Sequence, residues 1–517
     1  MLVIPEKRRL IISTDVYAAI AKAIPHAKLF MHEGKQLIAL NHGPEETLVL
    51  KNIGFKVPEP IRSYYGWPGR FKPMDHQKDT SAFLTMNRKA LCLNSPGTGK
   101  TLSALWASDF LMDEGVVKKV LIVAPLSTLN VVWGRELFQH LPHRAFQIIT
   151  GSRARRIALL ATPGMQYAII NHDGFTNIHD ELKDFDLVIY DEATALKTPG
   201  SQRFRTFNHW MVKNNPWLWM MTGTPIAQSP VDAWTLARLA NSPHIPKSFT
   251  AFKDAVMNRI TTFKWVPRPD ALETCKLVLQ PSIRFSLDEC VDLPAMNYVG
   301  RPCEMSPAQK KAFKMMEEHS IVMFKNKDVT AANAAVALSK LLQICGGLLY
   351  GNEKERIVID AKPRYDTLTE LIDEIGDKVI VFCPLRGVQD WLYDNLTKQG
   401  YDVRTVHGDV GPTERKEIFS DFQNTEKIKI LLAHPKVAAH GLTLTRAKDI
   451  IWYLPIHSLE QYEQANARIR RLTTSGKTTI WHIYASRFEA ELYRRLQLKK
   501  RVLSDFLNLV RGINDSD

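Results

Sequence analysis

The stretch that most constrains the fold is Asn94-Ser95-Pro96-Gly97-Thr98-Gly99-Lys100-Thr101. It lies between an apolar run, Ala90-Leu91-Cys92-Leu93, and a segment of helix character over residues 102–107. A strand, a glycine-rich loop and a helix in that order form a phosphate-binding turn. Glycines let successive backbone N–H groups point at phosphate oxygens, and the helix N-terminus adds partial positive charge. On this reading Pro96, Gly97, Thr98 and Gly99 wrap the phosphates of a nucleotide. Lys100 neutralises them and the Thr101 hydroxyl ligates Mg2+. The first glycine of the usual GxxxxGK[ST] pattern is replaced by Asn94.

A chain of 517 residues is too long for one hydrophobic core, so two or three domains are expected. Its 45% hydrophobic and 24% charged residues are those of a globular protein, and no run approaches the ~20 apolar residues of a membrane span. The N-terminus lacks the layout of a signal peptide. The six cysteines form no CxxC pair, which argues against a zinc site and for buried thiols in a reducing cytoplasm. A net charge of +14 suits a polyanionic partner.

Residues 1–66 read as a small α+β accessory domain. Apolar spacing predicts a helix over 11–24. Short strands are predicted over 36–40 and 46–50, either side of the turn Asn41-His42-Gly43-Pro44. The next segment is a linker in which Tyr64, Tyr65 and Trp67 serve as packing anchors. Gln77 then precedes a helix over 78–88. Its carboxamide can donate to and accept from an adenine edge at once, which gives preference for ATP.

After the glycine-rich loop, apolar strands are predicted over 118–125, 167–172, 185–190 and 217–221, with a helix over 133–141. Strands alternating with helices make an α/β doubly wound parallel sheet, whose ligands bind at the carboxyl ends of strands. Asp191-Glu192 sits at such an end. Asp191 suits a metal ion, and Glu192 suits the base that orients and deprotonates a water. Thr222-Gly223-Thr224-Pro225 ends the last strand, with hydroxyls placed to bond that pair. The middle of the chain, 229–350, reads as helical and irregular. A second alternation follows, with strands over 379–382, 401–406, 428–433 and 450–453, a helix over 387–399 and a final helix over 488–510.

Taken together these segments resemble the superfamily 2 helicase-fold ATPases, and most closely their SNF2-type branch. Leu121-Ile122-Val123-Ala124-Pro125-Leu126-Ser127 resembles motif Ia. Asp191-Glu192-Ala193-Thr194-Ala195-Leu196-Lys197 resembles the DExx box, and Met221-Thr222-Gly223-Thr224-Pro225 resembles motif III. Asp292-Leu293-Pro294 and Leu341-Leu342-Gln343-Ile344-Cys345 resemble family segments between the lobes. Ala439-His440-Gly441-Leu442-Thr443-Leu444 resembles motif V. Gln464-Ala465-Asn466-Ala467-Arg468-Ile469-Arg470-Arg471 resembles motif VI, with Ala467 in place of a glycine.

The resemblance implies two RecA-like doubly wound lobes, over 67–290 with a helical insertion and over 291–517 with a helical crossover, following the accessory domain at 1–66. It implies ATP and Mg2+ held by Lys100 and Asp191, with Glu192, Gln464, Arg468 and Arg471 acting in hydrolysis. Arg468 and Arg471 are three apart, on one face of an expected helix. Backbone contacts to DNA are expected at Pro125, Asn171, His407 and Thr443. The expected activity is that of a monomeric, cytoplasmic ATP-dependent translocase on duplex or branched DNA, in a bacterial cell or phage-infected host. It would regress forks or migrate Holliday junctions, with residues 1–66 reading the junction. The alternative is a motor that displaces proteins from DNA or serves a defence complex, with the N-terminal domain binding a protein partner. An RNA helicase fits the DExx box less well.

Overall fold

The computed structural model describes residues 1–13, 17–261, 264–290, 296–325, 331–350, 355–438, 444–469 and 477–514. The chain divides into two compact units, Met1–Cys290 with Phe506–Asp517, and Val291–Asp505. Asp292-Leu293-Pro294, Thr443 and Arg471 lie outside the described residues. Among the described residues no helix is long and apolar enough to cross a membrane.

The first unit is built on a seven-stranded sheet. Its order is Ser282–Ile283, Lys89–Cys92, Trp217–Met221, Leu187–Asp191, Val120–Ala124, Tyr167–Asn171 and Phe146–Ile149. Every pairing is parallel. The strands Val120–Ala124 and Tyr167–Asn171 are buried along their whole length, as expected of strands covered on both faces. Helix Lys100–Asp113 is buried from Leu102 to Met112, and that burial includes Asp109. The Asp109 carboxylate is held there by the Tyr65 hydroxyl at 2.5 Å, Arg144 Nε at 2.5 Å and His143 Nε2 at 3.0 Å. A buried carboxylate needs such donors to offset its lost hydration. Trp67 meets Trp106 edge to face at 5.6 Å, so the aromatic linker is packing material.

Ahead of this sheet, Leu2–Ile4, Arg9–Ser13, Lys35–Asn41 and Lys28–His32 pair side by side in a four-stranded antiparallel sheet. Two expectations fail here. Residues 11–13 belong to the strand Arg9–Ser13, and the helix among the described residues is Tyr17–Ala23. Residues 46–50 lie in helix Pro44–Asn52. There Pro44 occupies the first turn behind Gly43, and Glu45 and Glu46 face the positive end of the helix dipole, which overrides the strand preference of Thr47-Leu48-Val49-Leu50. Ile20, Ile24 and Leu50 pack with Leu10, Ile12, Ile38 and Leu40 on one face of the sheet.

The second unit holds a six-stranded parallel sheet in the order Met296–Pro302, Thr478–Tyr484, Asp449–Trp452, Val379–Phe382, Ile430–Ala433 and Val403–Val406. The supposedly helical middle of the chain therefore supplies an edge strand to each large sheet, Ser282–Ile283 and Met296–Pro302. It also forms the hairpin Met257–Arg259 with Trp265–Pro267. A fully buried ion pair joins Arg364 to Glu489 at 2.5 Å. Arg364 also donates to the Tyr453 carbonyl, while Glu489 accepts from Ala485 N at 2.9 Å and Ser486 Oγ at 3.1 Å. Breaking one side of such a pair strands a buried charge. Glu489→Ala should lower the stability of the second unit by about 3–5 kcal/mol in denaturant unfolding. Replacing both partners, Arg364→Met with Glu489→Leu, should recover most of that loss.

Candidate nucleotide site

Strand register assembles the site. Met221 pairs with Cys92 on one side and with Asp191 on the other, so three neighbouring strands end flush. Each ends in chemistry: the glycine-rich loop after Cys92, Thr222-Gly223-Thr224-Pro225 after Met221, and Asp191-Glu192. The loops also touch, because a Cβ added to Gly223 would come within 2.9 Å of Pro96 Cδ.

Within the loop, Gly97 and Gly99 have φ of 90° and 83°, a region open to glycine at no steric cost. Gly99 is the N-cap of helix Lys100–Asp113. A Cβ there would come within 2.1 Å of Gln77 Nε2, so a side chain is excluded on two counts. Lys100 Nζ donates to the carbonyls of Asn94 at 2.7 Å and Ser95 at 3.2 Å. Burial lowers its pKa, and the nearby Glu192 carboxylate works against that shift.

Asn94, where a glycine was expected, is buried and fully used. Its Nδ2 donates to Thr80 Oγ1 at 2.8 Å, and its Oδ1 accepts from Phe285 N at 2.8 Å. It fastens the loop to helix Asp75–Met86 on one side and to the segment after Ser282–Ile283 on the other. Gln77 is also engaged: Oε1 accepts from Met74 N at 3.0 Å and Nε2 donates to the Thr98 carbonyl at 3.2 Å. Oε1 keeps a second lone pair and Nε2 a second hydrogen. The neighbouring His76 Nε2 donates to the same carbonyl at 2.8 Å.

At the acidic end, Asp191 Oδ2 accepts from Trp133 Nε1 at 3.0 Å and Oδ1 accepts from the Glu192 N–H at 3.0 Å. Burial raises the Asp191 pKa, and the Trp133 hydrogen bond and Lys100 oppose that rise. Glu192 adopts a left-handed conformation, φ 50° and ψ 56°, which costs a non-glycine residue about 1 kcal/mol or more. Strain of this kind collects where a side chain must be aimed. Thr222 Oγ1 accepts from Thr224 N at 3.1 Å, which stiffens the intervening turn.

The donor set fits a magnesium nucleotide. The glycine cradle admits no side chain, a lysine amine rests on loop carbonyls, and a carboxylate and the Thr101 hydroxyl are the hard oxygens such a cation takes. Trp133, His76 and Asn94 escaped the sequence reading of the site. Only Asn94 left a signal, as the departure from the glycine pattern.

In the second unit Gln464 is buried in helix Leu459–Asn466, but that helix ends before Arg468. Arg468 lies in the following turn, buried, with Nε donating to the Gln464 carbonyl at 3.0 Å. The expected single helix face for Arg468 and Arg471 is thus not formed at Arg468. Ala467, in place of glycine, already sits at the helix C-cap.

Of the expected DNA contacts, Pro125 is half-buried at the end of strand Val120–Ala124. Asn171 is buried, and its Oδ1 accepts from Arg156 at 3.1 Å. His407 is likewise buried, with Nδ1 accepting from Asp409 N at 3.2 Å. The engaged atoms, Asn171 Oδ1 and His407 Nδ1, are acceptors, which a phosphate would not use.

Restoring the usual glycine should weaken this site. Asn94→Gly leaves the Phe285 N–H without its acceptor and takes one donor from Thr80 Oγ1, which keeps its own bond to the His76 carbonyl at 2.7 Å, at a cost of about 1–3 kcal/mol. Thermal unfolding should show the loss in the first unit, accompanied by weaker nucleotide binding.

Comparison with known proteins gives the same picture. A model of the SNF2-related domain matches residues 76–347, and a model of the helicase conserved C-terminal domain matches residues 363–473. Protein p41 of Acyrthosiphon pisum secondary endosymbiont phage 1 is 26% identical over 80% of this chain and 92% of its own length. The ATP-dependent helicase YqhH of Bacillus subtilis (strain 168) is 23% identical over 86% of this chain and 82% of its own. The ATP-dependent DNA helicase DDM1 of Arabidopsis thaliana is 23% identical over 78% of this chain, which spans only 58% of that protein. With one family model covering more than half its length and the helicase C-terminal model following in order, the chain belongs to the SNF2-related family of helicase-type ATPases.

Proposed function

We propose that the chain is an ATP-dependent double-stranded DNA translocase that remodels branched DNA, as in fork regression or Holliday-junction migration. The observation that carries the ATPase part is the flush ending of three adjoining strands, which puts Lys100, the Thr222–Pro225 turn and Asp191-Glu192 at one edge of one sheet. Backbone N–H groups of the glycine loop and the Lys100 amine bind the phosphates. Glu192 takes the proton of the attacking water. A bound Mg2+, held by Thr101 and Asp191, would neutralise phosphate charge. Gln464, Arg468 and Arg471 keep the hydrolytic role that their motif implies.

Three things support DNA as the substrate: the net charge of +14, the family, and the similarity to the DNA helicase DDM1. The branched-DNA part rests on the N-terminal sheet. With Leu10, Ile12, Ile38 and Leu40 turned to its core, pleat alternation turns Arg9, Ile11, Lys28, Phe30, Lys35 and Leu37 to the other face. That face joins exposed cations to an aromatic ring, and its strands carry no carboxylate among the described residues. Basic surface with an aromatic suits unpaired bases and backbone at a branch point.

Hydrolysis should be measured without nucleic acid and with single strand, duplex, four-way junction and RNA, at two salt concentrations. Glu192→Gln should lower the stimulated rate at least about a hundredfold while retaining nucleotide binding. Arg9, Lys28 and Lys35 changed together to Glu should remove any preference for junction over duplex and leave duplex stimulation intact. Equal stimulation by all duplexes in the unaltered protein would favour the alternative, a motor that acts on proteins bound to DNA. Deleting residues 1–66 is a poorer test, because it also removes Tyr65 from Asp109.

A further inference from the structure

The Asp191 main chain and side chain are gripped by segments that follow two other strands. After Val120–Ala124 the chain makes a tight turn over Leu126–Thr128 and then a wide π-helical turn over Leu129–Gly134. Such turns accommodate an extra residue, which re-aims the side chains around them, and they collect at functional sites. Here the turn carries Trp133, fully buried, with its indole N–H on Asp191 Oδ2 at 3.0 Å. From the next strand along, after Tyr167–Asn171, His172 Nε2 donates to the Asp191 carbonyl at 3.0 Å. The His172 ring lies flat on Tyr190, with centroids 5.0 Å apart and planes 7° from parallel. The Glu192 N–H occupies the other carboxylate oxygen, so Asp191 is fixed at three atoms.

A buried tryptophan satisfies its N–H wherever an acceptor lies near, so packing alone accounts for its burial. Packing does not account for two independent donors, from two strand ends, converging on one residue of the nucleotide site.

We propose that Trp133 and His172 are positioning residues that hold Asp191 from two strand ends, and thereby set the affinity of the site for magnesium nucleotide. This rests on the nucleotide-site reading of Asp191 given above. The residues act as partners behind a metal ligand, whose loss typically weakens metal binding about 10–100-fold.

The test uses the full chain and a fluorescent, non-hydrolysable ATP analogue, titrated in EDTA and in Mg2+. Trp133→Phe keeps a ring in the core but removes the N–H. It should leave affinity in EDTA within about twofold, and reduce the Mg2+-dependent gain roughly tenfold or more. His172→Phe keeps the stack on Tyr190 and removes the donor. It should reduce the same gain, and at its half-buried position it remains informative if Trp133→Phe does not fold. Variants that keep the gain would overturn the inference while leaving the nucleotide site in place. If the unaltered protein shows no Mg2+-dependent binding, the reading of the site itself fails.

Discussion

The structure depends on the register of one parallel sheet. A strand buried on both faces has no room for polar side chains along its length, so its chemistry is displaced to its ends. Flush carboxyl ends then bring together residues far apart in sequence. Met221 level with both Cys92 and Asp191 is that constraint in a single residue. A slip of one residue in either pairing would move a loop by one strand rise, about 3.3 Å, and turn its flanking side chains to the opposite face.

The glycine loop and the acidic strand end were legible in the sequence because each is local. A few consecutive residues state both the backbone path and the chemistry. The same holds for the apolar strands 120–124, 167–171 and 217–221, where burial on both faces leaves an unbroken run. What failed was non-local or balanced between two tendencies. Met296–Pro302 earns its place in a sheet only by pairing with Thr478–Tyr484, a partner far along the chain. In 46–50, β-branched and apolar residues argued for a strand, and the helix start at Gly43-Pro44 decided otherwise. Arg468 left its expected helix because the helix had already ended at Asn466. In the site, Trp133 was read as the start of a helix, since nothing in its neighbours announces a wide turn or a carboxylate 58 positions away.

Asn94 shows how a departure from a pattern can carry structure. At this position glycine would supply only freedom, whereas the carboxamide supplies two fixed hydrogen bonds to separate elements. The loop exchanges backbone latitude for anchorage at its first residue and keeps latitude at Gly97 and Gly99. The site is thus rigid at its base and permissive at its rim. Glu192, held in a left-handed conformation beside it, adds a second point at which local preference yields to aim.

The helix that begins at Lys100 has 14 residues, about 21 Å of rise, and both its ends have duties. Its first residue touches the phosphate loop. Near its last turn Asp109 receives the Tyr65 hydroxyl, and Glu114, just beyond, pairs with Arg8, in the turn before strand Arg9–Ser13. Along its axis a helix is stiff, because every turn is braced by backbone hydrogen bonds. A load applied to the N-terminal sheet therefore has a short, unbending strut by which to reach the glycine loop. The N-terminal region thus touches the far end of the rod whose near end carries the lysine.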